Sequence, residues 1–236
     1  MVNILAFSDE ELISKHYDDS YGLKFNVPSD VDLLINCGDL SPSYAEYIRF
    51  HFNPSNALMV HGNHDKNFLK KSSFGKYDSS PFGAFKILNA DYLTLENMQG
   101  LIVAGFSGAD NRGSWPFFFK EKHIKNFIKN LSKNFDSLDI MLSHHPPDIG
   151  RVIPSVSAYH TPSKVLGEVY DLFKPSIWFY GHVHGRYTSE NLDFLIKDSQ
   201  GNETYLINTT PYKFLEFDPE SKKVNPSFDV EMRHIK

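Results

Sequence analysis

Residues 176–184 read SIWFYGHVH. An apolar run stops abruptly at a glycine and two imidazoles separated by one valine. The same construction recurs along the chain. VNILAF (2–7) stops at Ser8-Asp9, VDLLINC (31–37) at Gly38-Asp39, and NALMV (56–60) at His61-Gly62-Asn63-His64-Asp65. LIVAGF (101–106) stops at Ser107-Gly108, and LDIMLS (138–143) at His144-His145-Pro146-Pro147. Continuous apolar runs of this length suit strands covered on both faces and are too short for lone helices. In an open α/β sheet, ligands bind outside the carboxyl ends of the strands. The polar ends therefore predict one rim at which Asp9, Asp39, Asn63, His64, His144 and His182 meet.

Helical patterns lie between the runs. Pro42 to Phe52 follows Ser41, a residue suited to N-capping. Residues 119–135 place Ile124, Phe127, Ile128, Leu131 and Phe135 on one face. Lys122, Lys125, Lys129 and Lys133 fall on the other, read as a solvated face with a phosphate-binding ridge as the sharper alternative. Residues 161–173 open with Thr161-Pro162-Ser163 and end before Pro175. Beyond residue 185 the texture changes to successive strands, with turns at 199–202 and 219–222 and one more strand within NPSFDVEM. The segment 108–120 reads as the longest loop. No linker rich in Pro, Gly or Ser divides the 236 residues, so a single domain over 1–236 is expected.

Composition narrows the function. A net charge of −5 gives no basic stripe for gripping nucleic acid, so a nucleic-acid partner is not expected. No run of about 18 apolar residues is present, and no membrane span is expected. The single cysteine, Cys37, cannot form an internal disulfide and reads as a buried strand residue. A soluble, cytoplasmic protein is the expectation.

Each polar strand end means little alone. An Asp after a strand is ordinarily a turn former or cap, and a lone His is ordinarily a surface or hydrogen-bonded residue. Together, in this order and placement, they form a pattern. The chain resembles the calcineurin-like metallophosphoesterases, whose blocks run Asp-x-His, Gly-Asp, Gly-Asn-His-Asp/Glu, a His after a strand, and Gly-His-x-His. The matching pieces are SDEE (8–11), CGDL (37–40), HGNHD (61–65), LSHHPP (142–147) and YGHVH (180–184).

The resemblance implies a four-layer α/β-β/α sandwich, two packed mixed sheets with helices on the outer faces, the late strand-rich segment supplying part of the second sheet. It implies two divalent metal ions, and mixed Asp, Asn and His ligands suit Mn²⁺, Fe or Zn²⁺. Asp9, Glu11, Asp39 and His184 would hold one, and Asp39, Asn63, His144 and His182 the other, with Asp39 shared. His64 would be the catalytic histidine that is not a ligand, with His145 lining the pocket. The implied reaction is hydrolysis of a phosphomonoester or phosphodiester, a small molecule, through a hydroxide bridging the metals. Two cations about 3.5–4 Å apart would offset the ester's charge and clamp the attacking and leaving oxygens.

Two blocks depart from the family. Glu11 stands where the second residue after the first Asp is usually His, which makes the first metal's set harder and more negative and is expected to favour Mn²⁺ or Fe²⁺ over Zn²⁺ there. YLINTTPY (205–212) keeps Asn208 but lacks the usual Gly-Ser, and reads as a local turn without direct bearing on the metals. Glu11 also leaves open a second reading, a non-catalytic binding scaffold with a weakened first metal site. Arg112 and Arg151 lie in loops near strand ends, and His160 reads as a loop histidine. Trp115 to Phe119 reads as core or lid packing.

Overall fold

The computed structural model describes residues 1–12, 27–65, 70–71, 77–78, 85–110, 117–158, 160–184 and 187–235. In chain order the elements are β1 (Val2–Phe7), β2 (Leu33–Asn36), α1 (Pro42–Phe52), β3 (Asn56–Met59), β4 (Lys70–Lys71), β5 (Tyr77–Asp78), β6 (Lys86–Ile87), β7 (Asp91–Leu95), β8 (Leu101–Phe106), β9 (Ala109–Asp110) and β10 (Phe118–Phe119). They continue as α2 (Glu121–Leu131), β11 (Ile140–Ser143), α3 (Lys164–Phe173), β12 (Ile177–Tyr180), β13 (Phe194–Lys197), β14 (Glu203–Asn208), β15 (Tyr212–Asp218), β16 (Lys223–Pro226) and β17 (Glu231–His234).

Two sheets dominate. The first is six-stranded, in the order β16-β15-β1-β2-β3-β6, and the second is seven-stranded, β17-β13-β14-β12-β11-β8-β7. β1, β2, β3 and β6 are parallel, as are β8, β11, β12 and β14. Antiparallel strands complete each sheet, so both are mixed.

The two-residue period of a strand turns each apolar run into two faces. In β1, Ile4 and Ala6 join a core that also holds Ile140, Leu142, Ile177 and Phe179 from the second sheet. Leu5 and Phe7 point the other way, onto Tyr44, Ala45, Ile48 and Phe52 of α1. In β12, Ile177 and Phe179 face the first sheet while Trp178 and Tyr180 pack with residues of α2 and α3. The result is four layers: α1, the first sheet, the second sheet, and α2 with α3. This is the α/β-β/α sandwich expected from the sequence. Each large side chain in these cores contributes about 1.5–3 kcal/mol by leaving water, as an upper estimate.

The helices start and stop where the sequence signals them. Ser41 Oγ accepts the backbone N–H of Tyr44, Pro42 opens α1, and Asn53 closes it in the left-handed region at φ 43°. Ser163 accepts from Leu166 N at the start of α3, and Lys174 ends that helix one residue before Pro175. On α2, Ile124, Phe127 and Leu131 are buried and Lys122, Lys125 and Lys129 are exposed, as is Lys133 just beyond its end.

The late segment divides between the sheets. β13, β14 and β17 build the second sheet, as expected. β15 pairs along the whole of β1 and, with β16, extends the first. The ion pair of Lys213 on β15 with Asp193, and that of Lys222 with Asp139, tie the two sheets together. Arg112 and Trp115 lie outside the described residues. Among the described residues no helix is long and apolar enough to cross a membrane.

Candidate metal centre at the strand ends

The carboxyl ends of parallel strands from both sheets meet at one rim, and backbone contacts set the spacing there. Asp9 N donates to Gly38 O at 3.1 Å, and Gly181 N to His144 O at 3.0 Å. Gly108 N reaches His61 O at 2.6 Å. Asp9, Asp39 and His182 each turn the chain in the left-handed region, with φ of 63°, 60° and 70°. Such angles are uncommon outside glycine and mark places where the surrounding structure dictates the conformation. The loops touch so closely that two of the glycines are required. A Cβ on Gly62 would lie 2.6 Å from Asp39 Cγ and 2.7 Å from Asp39 N, and one on Gly181 would lie 2.6 Å from Asp9 Oδ2.

His144 is the centre of one cluster. Its Nδ1 sits 2.8 Å from the Cys37 carbonyl oxygen. A carbonyl only accepts, so Nδ1 carries a proton and Nε2 is the nitrogen aimed into the rim. Nε2 stands 3.1 Å from Asn63 Oδ1, 3.1 Å from His182 Nδ1 and 3.3 Å from Asp39 Oδ2. One ligand atom each from Asp39, His144 and His182 lies within 4.8 Å of the others. Burial lowers the pKa of His144, but the Asp39 and Asp9 carboxylates outweigh it and raise the value to about 10. Burial likewise raises that of Asp39, and His144 overcomes it to about 2. The Asp39 carboxylate and the His144 ring thus favour each other's charged forms.

The second cluster is Asp9 with His184. Asp9 Oδ2 accepts from His182 N at 2.9 Å and from the Thr210 hydroxyl at 3.0 Å. Its Oδ1 is buried without a hydrogen-bond partner, 3.5 Å from His184 Nε2. Burial is the largest influence on Asp9 and pushes its pKa up. An orphaned buried carboxylate oxygen facing an imidazole nitrogen, beside a cluster of carboxylate, amide and imidazole donors, fits cation binding.

The remaining candidates divide. His64 stands at the mouth with its side chain 80% exposed and Nε2 4.0 Å from Asp39 Oδ2, while its backbone N–H donates to Asp39 Oδ1 at 2.7 Å. Glu11 is not brought to the rim. It is exposed, and Oε1 accepts the Ser41 N–H at 2.8 Å. Glu10 stands nearer the cluster, with Oε1 3.5 Å from His184 Nδ1. His145 turns its Nε2 to Thr161 O at 2.9 Å, away from the cluster. Arg151 is exposed on its own turn.

Residues 11–186 match the family described as calcineurin-like phosphoesterase. The chain belongs to that family. A comparison with curated proteins finds no match. One solved structure is 14% identical, covering 95% of this chain and 98% of its own, with a TM-score of 0.57. The protein TT1561 of Thermus thermophilus is 10% identical over 96% of this chain and 98% of its own, with a TM-score of 0.52. A longer chain described as a candidate 5′-nucleotidase from Staphylococcus aureus, in complex with alpha-ketoglutarate, has 14% identity and a TM-score of 0.47. This chain spans 54% of its length. At these identities the likeness shows the fold alone. Family membership and the ligand cluster together support a metal-dependent phosphoesterase.

Two supporting residues escaped the sequence reading of this phosphoesterase. Asp65, the last residue of the Gly-Asn-His-Asp block, accepts from Gly62 N at 2.7 Å and Asp39 N at 3.0 Å, and so holds both loops in place. Burial and the nearby Asp39 raise its pKa to about 7. Thr210, read as part of a neutral turn, hydrogen-bonds Asp9 directly. Asn208 keeps that turn, accepting from Thr210 N at 2.9 Å and donating to Val183 O at 2.9 Å.

Proposed function

We propose that this chain, acting as one domain over residues 1–236, hydrolyses a small phosphomonoester or phosphodiester at this rim. Two divalent cations would serve it. Asp39, Asn63, His144 and His182 would hold one, and Asp9, Asp39 and His184 the other. The observation that carries the reading is the convergence of Asp39, His144 and His182 from three separate strand ends. The donor set of carboxylate, amide and imidazole suits Mn²⁺, Fe²⁺ or Zn²⁺, with Mn²⁺ or Fe²⁺ favoured by the carboxylates at Asp9 and beside His184. Cations bound there supply positive charge against the phosphate and make a water molecule more acidic.

The chain's own residues do the rest. Asp39 is fixed by the His64 N–H, and its backbone by Asp65. The His64 imidazole lies at the mouth beside Asp39, where it can give a proton to the departing oxygen. A cytoplasmic setting is consistent with the single buried thiol of Cys37.

The test is hydrolysis of bis-p-nitrophenyl phosphate and p-nitrophenyl phosphate after chelation and reloading with Mn²⁺, Fe²⁺ or Zn²⁺. Turnover restored by a metal, and lowered roughly 10²–10⁴-fold in His64→Ala, is the expected result. A folded protein that binds cations yet turns over neither ester would replace this reading with a binding scaffold.

A further inference from the structure

The cleft at the rim encloses about 200 Å³ and is lined by Asp9, Asp39, His64, His160, His182, His184 and Tyr187. Five of these are accounted for by cation binding and proton transfer. Among the described residues the other two, His160 and Tyr187, are aromatic rings, and they pack on each other. Their centroids are 4.3 Å apart and their planes 37° from parallel. The pair borders the two imidazoles of the Gly-His-Val-His turn. His160 lies 4.8 Å from the His182 ring, and Tyr187 meets the His184 ring edge-on at 5.4 Å. Ser157 Oγ, 2.7 Å from His160 Nδ1, holds the His160 ring in position. Tyr187 is 43% exposed and so presents part of its ring to the cleft mouth.

A phosphate ester has two parts. The phosphoryl group belongs with the cations on the cleft floor, and the organic group must lie along whatever wall remains. Among the described residues that wall is aromatic. Ring faces reward planar unsaturated groups through offset stacking, and stacking tolerates different rings because each has a π-face. We propose that Tyr187, backed by His160, is the specificity wall of this site, and that the preferred substrates are esters whose leaving alcohol carries a planar ring, of the nucleoside phosphate class. The assignment rests on the phosphoesterase reading above.

Adenosine 5′-monophosphate and ribose 5-phosphate share the same leaving oxygen and differ in the ring, so their comparison isolates the wall. The Mn²⁺-loaded protein is expected to favour the nucleotide by roughly tenfold or more in kcat/KM. The same preference is expected in calorimetric affinity, measured on His64→Asn so that no hydrolysis intervenes. Tyr187→Leu should bring the ratio toward one, and Tyr187→Phe should keep it. A ratio near one in the unaltered protein, or a ratio that survives Tyr187→Leu, overturns the proposal. If neither compound is hydrolysed but the affinity ratio and its loss in Tyr187→Leu persist, the aromatic wall stands and the catalytic reading falls.

Discussion

Gly62→Ala isolates the contact on which the cation cluster depends. The Gly62 backbone is open to an L-residue, so the substitution does not strain the chain by its torsions. Its methyl group, however, would enter the space of Asp39, 2.6 Å from Cγ and 2.7 Å from the backbone N, and still closer to Oδ1. Ordinary contact begins near 3.4 Å. The carboxylate must therefore swing well clear, and the backbone contact cannot be relieved by rotation of a side chain. Either movement breaks the bond from His64 N to Oδ1 and takes Oδ2 away from His144. Overpacking of this kind costs about 1–3 kcal/mol of stability. The loss of cation affinity should be larger in proportion, since even outer-shell changes at metal sites cost roughly 10–100-fold. Calorimetric titration with Mn²⁺, beside melting curves with and without the metal, separates the two effects. Gly100→Ala is the control. It sits at φ 73° with nothing within 4 Å of the added methyl, so it should cost about 1–2 kcal/mol and leave affinity alone. If Gly62→Ala binds Mn²⁺ as tightly as the unaltered chain, Asp39 is not a ligand and the reasoning fails.

Other outcomes follow from neighbouring contacts. Glu10→Gln should weaken cation binding by roughly tenfold, because it removes the carboxylate facing His184 Nδ1. Glu11→Ala should leave the affinity unchanged and cost at most about 1 kcal/mol through the lost acceptor for Ser41 N. The reverse pattern in metal titrations would return Glu11 to the first metal. Thr210→Val removes the hydroxyl that holds Asp9 Oδ2 and should lower affinity by roughly tenfold with little change in the melting point; an unchanged titration would make Thr210 a bystander. Burial lowers the pKa of His145 from 6.5 to about 3, so the folded protein keeps this ring neutral where the unfolded chain protonates it. Its contribution to stability is complete above pH 6.5 and is lost as pH falls toward 3, with a slope of up to about 1.4 kcal/mol per pH unit. His145→Gln should flatten the acid limb of denaturant-derived stability by about one proton, and an unaltered limb would count against a buried neutral imidazole.

The buried strands and the rim were legible in sequence because both rest on short-range signals, whereas the four layers came with the family resemblance. An apolar run covered on both faces announces a buried strand, and the residue that ends it announces where the chain reaches the rim. What stayed hidden was long-range or conformational. β15 pairs with β1 more than 200 residues away, and that pairing delivers Thr210 to Asp9. No local pattern around YLINTTPY carries this information, so the segment read as a neutral turn. Asp65 was visible as a residue of its block, but its two backbone partners emerge only once the loops of Asp39 and Gly62 lie side by side. The placement of Glu10 rather than Glu11 beside His184 has a local cause. After Asp9 turns at φ 63°, Glu10 N closes back on Ser8 O at 2.7 Å. The chain leaves the strand end in a tight bend, so spacing counted along the sequence no longer tells which side chain faces the rim. The bend puts the first residue after Asp9 against His184, and carries the second out to the start of α1, where a carboxylate caps a backbone N–H. A histidine at position 11 could be drawn inward by a metal, but a glutamate that finds a hydrogen-bond donor at Ser41 has a competing partner, and the vacated side of His184 then falls to Glu10.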